Sequence, residues 1–312
     1  MPNLTYIFHT TNADALLFNT GIQIMIEALF EKLHGALSEN TLRAYRSDYT
    51  HFTTWCQEHE VEPLAHESTA MLNYLTHMAS QSSVATIVRR LASLSSLFKY
   101  LCLTDTTKDI DVCLALKKIK RQKGTAQLQA EPLTKAHIEK MLPHCGTGIV
   151  RLRNQVLLHL GHQTMRRRSE LCRFRFEDII ELPGKRYGIV LRFSKTDQNG
   201  KGKTLPLTQE IFDLLMKWRE KAGEGYILRG IYKGNNINQS LNSSSINKII
   251  QAIQRKSNIR TSIPFSGHSF RVGGALDLLM AGTPLEKIML RGGWTSESSV
   301  IRYLQAWDLM ED

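Results

Sequence analysis

Residues 179–207, IIELPGKRYGIVLRFSKTDQNGKGKTLPL, decide the fold class. Ile179–Leu182 is followed by a Pro183-Gly184 turn. Tyr187, Ile189, Leu191 and Phe193 then alternate with polar or small residues. Period-two patterning between turn residues predicts strands, and Asn199-Gly200 is a hairpin signal with Thr204–Leu207 as the return strand. Outward from this segment the period changes to that of helices. Leu133 onward, with the apolar stretch Leu152–Gly161, reads as helical, as do 208–222, 243–256, 269–281, 284–290 and 296–309. The expected class is therefore mainly α with a small antiparallel β-sheet in the C-terminal part.

The first part of the chain reads as helices only. Ser38 and Glu39 form a cap and first-turn acid ahead of Leu42, Tyr45, Tyr49 and Phe52 at helical spacing. Pro63 interrupts, and a second apolar run follows at Met71, Leu72 and Leu75. Val84, Ile87, Val88, Leu91, Leu94, Leu97, Phe98 and Leu101 make one apolar stripe, with Arg89 and Arg90 off it. An amphipathic helix is expected near Ile22–Leu33. Residues 117–132, KKIKRQKGTAQLQAEP, read as a basic linker, since five of the first seven residues are Lys or Arg. The expected organisation is a helical N-terminal extension at 1–35, a helical domain at 36–116, the linker at 117–132 and a second domain at 133–312.

The charge is unevenly divided. Residues 1–130 hold 12 Lys/Arg against 12 Asp/Glu, whereas 131–312 hold 28 against 17, so the whole net charge of +11 lies in the second part. A polyanionic partner is expected. Five cysteines without paired spacing argue against a disulfide framework or a Cys-based zinc site. No apolar run approaches the roughly 20 residues of a membrane span, and MPNLTYIFHTTNAD lacks the basic-then-apolar pattern of a signal peptide.

Four segments stand out together: Thr164-Met-Arg-Arg-Arg-Ser-Glu170, Arg192-Phe-Ser-Lys-Thr196, Gly267-His-Ser-Phe-Arg271, and Gly292-Gly-Trp294 with Tyr303 nine residues on. Singly, each has a plain reading: an i,i+3 surface pair for Arg167 and Glu170, a turn lysine for Lys195, helix capping for His268 and Arg271, a packed tyrosine for Tyr303. Jointly, with the Ser38-Glu-Asn-Thr41 and Trp55-Cys56 context, they resemble the tyrosine recombinase (phage integrase) family over roughly Leu37 to Trp307.

That resemblance implies a two-domain DNA clamp, with a helical core-binding domain and a catalytic domain. It implies a site-specific recombinase acting without metal, cofactor or ATP. Arg167 and Arg271 would neutralise the phosphorane through paired charge-assisted hydrogen bonds. Tyr303 would be the nucleophile, its phenol (unperturbed pKa about 10) needing a cationic pocket or a base. His268 would take that proton or bind the phosphate, Lys195 would be the general acid for the 5′-oxygen, Trp294 would donate its indole N–H to the phosphate, and Glu170 would hold the first arginine. Arg166 and Arg168 would point elsewhere, toward backbone or acids.

DNA contacts are expected from Arg43, Thr86, Arg89 and Arg90 in the first domain, with Arg89 matching a base-contacting family position. Lys120 and Arg121 of the linker would track phosphates. On the helix starting near Asn242, Asn247 would read adenine and Lys248 guanine or phosphate, and Ser244 replaces the family's arginine. The implied partner is double-stranded DNA with an inverted-repeat site, bound by four copies, the free chain being a monomer or weak oligomer. The implied place is the bacterial cytoplasm at the nucleoid, or a nucleus for a eukaryotic mobile element. Trp307, Leu309 and Met310 would dock on a neighbouring copy or fold back on their own domain. Three alternatives use the same residues differently: a type IB topoisomerase or telomere resolvase, a non-cutting DNA binder, and a metal-dependent nuclease, against which no Asp/Glu/His cluster has ligand spacing.

Overall fold

A computed structural model describes residues 12–64, 68–126, 128–192 and 202–301. The chain divides into two units, Met1–Gln127 and Leu128–Asp312. No helix among the described residues is long and apolar enough to cross a membrane.

The first unit holds α1 (Asn12–Leu33), α2 (Glu39–Glu58), α3 (Ser68–Gln81), α4 (Val84–Tyr100) and α5 (Ile110–Lys123). Serine caps start two of them. Ser38 Oγ accepts the Thr41 N–H at 3.2 Å and Ser83 Oγ accepts the Thr86 N–H at 3.3 Å, each satisfying a donor that the first turn leaves open. The stripe read from the sequence of α4 is the buried one, from Val84 and Ile87 to Leu97 and Phe98, and it packs with Leu42, Phe52 and Trp55 of α2 and Tyr74 and Leu75 of α3. Val88 is the exception, at 37% exposure. Ile26, Leu29, Phe30 and Leu33 of α1 enter the same core, so residues 26–33 are part of this unit and not an appendage to it.

The boundary between the units falls inside the expected linker, 117–132, whose first part is helical. Lys117–Lys123 is the second half of α5. Asp109 caps the helix by accepting the Asp111 N–H at 2.9 Å, and Val112 and Ile119 anchor it in the core. Its basic residues Lys120, Arg121 and Lys123 lie in the last turn, where the helix dipole favours cations. Lys123 Nζ also donates to the carbonyls of Ala79 (2.6 Å) and Ser82 (2.9 Å) at the end of α3. The helix stops at Gly124, whose φ of 72° suits a residue without Cβ.

The second unit contains α6 (Lys135–Met141), α7 (Gly148–Thr164), α8 (Arg168–Leu171), strands β1 (Ile179–Leu182), β2 (Arg186–Leu191) and β3 (Lys203–Leu207), then α9 (Gln209–Ala222), α10 (Ser243–Lys256), α11 (Ser269–Met280) and α12 (Leu285–Gly292). The sheet is antiparallel in the order β1-β2-β3, with Ile179 opposite Ile189 and Ile189 opposite Leu205. Ile189, Leu191, Leu205 and Leu207 face the core, as the alternation predicts. The turn expected at Asn199-Gly200, with Phe193 and Lys195, lies outside the described residues. Residues 297–301 are helical, and the remainder of the helix expected at 296–309 lies outside them too.

Two close approaches seat α11. At Gly161 of α7 an added Cβ would stand 2.7 Å from the Phe270 ring, and at Gly273 it would stand 2.1 Å from the Leu133 carbonyl oxygen. The backbone of 133 is bonded to α11, Leu133 N–H donating to Ser269 O at 3.0 Å. The first turn of α11 is thereby fixed between α7 and the segment that leads into α6.

Candidate active site and DNA-facing residues

The sequence TMRRRSE builds the first wall of the site. α7 ends at Thr164 and Met165 takes the left-handed conformation, φ 50°. This turns successive arginines in different directions. Arg166 goes inward and is 2% exposed. Its Nε donates to Thr164 O at 2.8 Å and its Nη2 to Arg291 O at 2.6 Å, tying the end of α7 to the end of α12. Burial, with the Arg167 charge adding and Glu170 opposing, pushes its guanidinium down to about 10, so it stays charged at neutral pH. Arg168 is exposed.

Arg167 lies between them, at the N-cap of α8. Its Nη1 donates to Glu170 Oε1 at 2.9 Å and its backbone N–H to Glu170 Oε2 at 3.1 Å. Both oxygens of a carboxylate that is 4% exposed are therefore spent on one arginine, whose side chain is 33% exposed. Burial raises the Glu170 carboxyl, but the Arg167 hydrogen bonds and the Arg167 and Arg166 charges outweigh it and hold it below its ordinary value. An ionised, buried Glu170 is the condition for a fixed Arg167.

The Gly-His-Ser-Phe-Arg segment builds the second wall. Ser266 N–H donates to Ser269 Oγ (2.9 Å), Gly267 N–H to Asn247 Oδ1 (2.9 Å) and His268 N–H to Ser266 Oγ (3.2 Å). Arg271, one turn into α11, is 1% exposed. Its Nη1 donates to Met165 O at 2.6 Å and Gly292 O at 2.9 Å, and its Cζ stands 4.3 Å from the centre of the Trp294 ring, a cation–π distance. Gly293 closes α12 at φ 70°. Burial first, then the Arg271 and Arg167 charges, push His268 down to about 4. Its imidazole is neutral at pH 7, with one ring nitrogen to accept a hydrogen bond and the other to donate one.

The structure thus brings Arg167, Glu170, His268, Arg271 and Trp294 together. Lys195 and Tyr303 lie outside the described residues. Among the described residues no group of three His, Cys, Asp or Glu could hold a metal ion. Sequence reasoning passed over Lys203 on β3, which donates to Leu290 O and whose ammonium is lowered by burial and by the Arg166 charge. Nothing in its spacing separates it from its neighbour Lys201.

The residues expected at DNA have varied settings. Arg43 is exposed and donates to Asn40 Oδ1 at 3.1 Å. Thr86 serves the α4 cap, its Oγ1 3.0 Å from Ser83 Oγ. Arg89 and Arg90 both face Asp48, a carboxylate 1% exposed. Asp48 Oδ2 accepts from Arg89 Nη1 and, at 2.7 Å, from Ser93 Oγ. The signal for Asp48 was a charged residue inside the apolar Tyr45, Tyr49 and Phe52 stripe. Lys120 and Arg121 lie on the last turn of α5. Ser244 and Lys248 are exposed on the first turns of α10, and the Ser244 N–H and hydroxyl both bond Asn242 Oδ1 at 2.9 Å. Asn247 is half-buried, with its oxygen on Gly267.

Comparison with known proteins agrees in both units. The sequence pattern of the phage integrase family matches residues 131–309, and that of its N-terminal SAM-like domain matches residues 26–104. An integrase/recombinase XerD homolog of Selenomonas ruminantium is 28% identical over 296 residues, covering 90% of this chain and 86% of that protein. The recombinase Cre of Escherichia phage P1 is 24% identical over 294 residues, covering 88% and 86%. Among solved structures, a lambda integrase tetramer bound to a Holliday junction aligns with TM-score 0.64 at 15% identity, over 90% of this chain and 76% of that one. XerH bound to a palindromic difH substrate, in a post-cleavage complex, aligns with TM-score 0.59 at 19% identity, over 78% and 70%.

Proposed function

The chain belongs to the phage integrase family, and on that premise we propose that it is a site-specific DNA recombinase that cuts and rejoins strands through a 3′-phosphotyrosyl intermediate. The observation that carries this reading is the pair of guanidiniums, Arg167 and Arg271, each fixed by a buried acceptor, with both charges acting on a neutral His268. Such preorganised donors suit a phosphorane whose nonbridging oxygens gain charge.

In the proposed reaction the Tyr303 phenolic oxygen attacks phosphorus, losing its proton to His268 or to solvent. The bond to the deoxyribose 5′-oxygen breaks, and Lys195 supplies that oxygen with a proton. The phosphotyrosyl ester conserves the phosphodiester, so a partner strand's 5′-hydroxyl can reverse the step without an energy source. Trp294 packs beside Arg271 and offers its indole N–H to the phosphate. The proposed substrate is duplex DNA with inverted-repeat half-sites, and the proposed assembly is a tetramer, supported by the lambda integrase tetramer on a Holliday junction. The relatives' bacterial and phage sources suggest the nucleoid as the place of action.

The test uses a duplex sequence enriched by this protein from a random pool, nicked so that cleavage cannot reverse, with and without EDTA. The wild type should give a DNA-linked band that survives boiling in SDS, and Tyr303→Phe should bind the duplex without forming it. Cleavage by Tyr303→Phe that stops in EDTA would establish a metal nuclease instead. Binding without any adduct would leave a non-cutting DNA protein, and relaxation of plasmid lacking the site would favour a topoisomerase.

A further inference from the structure

We propose that Asn247 is a positioning residue for the turn that carries His268, and that it does not read a base. The inference rests on the recombinase reading. Gly267 is buried, and its N–H, a donor, faces the side-chain amide of Asn247 at 2.9 Å. Only an oxygen can occupy the facing position, which fixes the orientation of that amide. Reading adenine takes both ends of an asparagine amide, its oxygen from N6 and its nitrogen to N7. Here the oxygen is turned onto the Gly267 N–H, which takes one of its two lone pairs and fixes the direction of the amide.

The surroundings make the contact a joint between two elements. A Cβ added at Gly267 would meet Arg168 Cβ at 2.9 Å, Ile246 Cγ2 at 3.5 Å and Asn247 Oδ1 at 3.6 Å. The glycine therefore fits between the residue next to Arg167 and the first turns of α10. Ser244 and Lys248 of those turns are exposed, while Ile246 is buried. Along this stretch α10 has an outward face that can meet a polyanion and an inward face that holds the Gly267-His268 turn. Movement of α10 on a duplex is passed through Asn247 to His268. The seating of the helix and the placing of the imidazole are one adjustment.

Misplacing a reacting group by about 1 Å can cost on the order of 10²-fold in rate. The experiment measures single-turnover adduct formation on the enriched, nicked duplex at saturating protein, with binding to all single-base variants of that duplex measured alongside. Asn247→Ala should keep the wild-type base preference and cleave roughly 10- to 100-fold more slowly. Asn247→Asp, which keeps an oxygen for the Gly267 N–H, should recover most of that loss once the DNA is saturating, and it also decides the matter if Asn247→Ala does not fold. Equal slowness of both variants, or lost preference at one base with an unchanged saturated rate, would overturn the proposal. If the wild type itself forms no adduct, the recombinase reading fails, and the base-preference comparison alone then decides whether Asn247 reads a base.

Discussion

His268 carries the clearest pH signature of any single residue in the site. Its imidazole is held at about 4 by burial and by the Arg271 and Arg167 charges, against an ordinary value near 6.5. Between those two values the unfolded chain binds a proton that the folded one refuses. Stability therefore falls as pH drops from about 6.5 to 4, by up to about 1.4 kcal/mol per pH unit from this group. Denaturant titrations should show wild type losing stability over that window more steeply than His268→Gln, and parallel curves would contradict the assigned environment. The His268 position was legible from its motif. The partner of Gly267 was not, because Asn247 is 20 residues away and at the start of a helix it looks like a groove residue.

At the scale of elements, Asp48 joins α2 to α4. Its buried carboxylate takes hydrogen bonds from Arg89 and Ser93 and lies 3.8 Å from Arg90 Nε. Arg89 is about half exposed, so its share is reduced by solvent. The Ser93 bond and the half-buried Arg90 remain to be lost. Asp48→Ala should destabilise the first unit by about 1–3 kcal/mol in chemical denaturation and weaken DNA binding by freeing Arg89 to take other rotamers. An unchanged midpoint and affinity would show the pair to be incidental. The α4 stripe was readable because eight apolar residues repeat at one period. The end of α5 was not, because Lys117, Lys118, Lys120, Arg121 and Lys123 mask the two residues, Val112 and Ile119, that anchor it. Charge density resembled a connector where the physical cause was a helix C-terminus that welcomes cations.

For the whole molecule, the net charge of +11 belongs to residues 131–312, the part that holds the two fixed arginines. DNA affinity should therefore depend strongly on salt. If six phosphates are neutralised, the association constant should fall by roughly 10³ between 50 and 200 mM salt, and a flat response would argue against a polyanionic partner. Division into two units and the mixed class of the second were legible from composition and period. The convergence of distant segments was legible only as a set of motifs, since Arg166 reaches the Arg291 carbonyl and Arg271 the Met165 and Gly292 carbonyls through hydrogen bonds that leave no mark on spacing.

The charge-neutralising role proposed for Arg271 can be tested by removing the charge from the DNA. Arg271→Ala should cleave an ordinary phosphodiester on the order of 10²–10³ more slowly than wild type. A methylphosphonate at the scissile position has no such charge, and on it the variant should approach the wild-type rate. A deficit of equal size on both substrates would show that Arg271 only holds the fold together, and would remove the guanidinium pair from the chemistry.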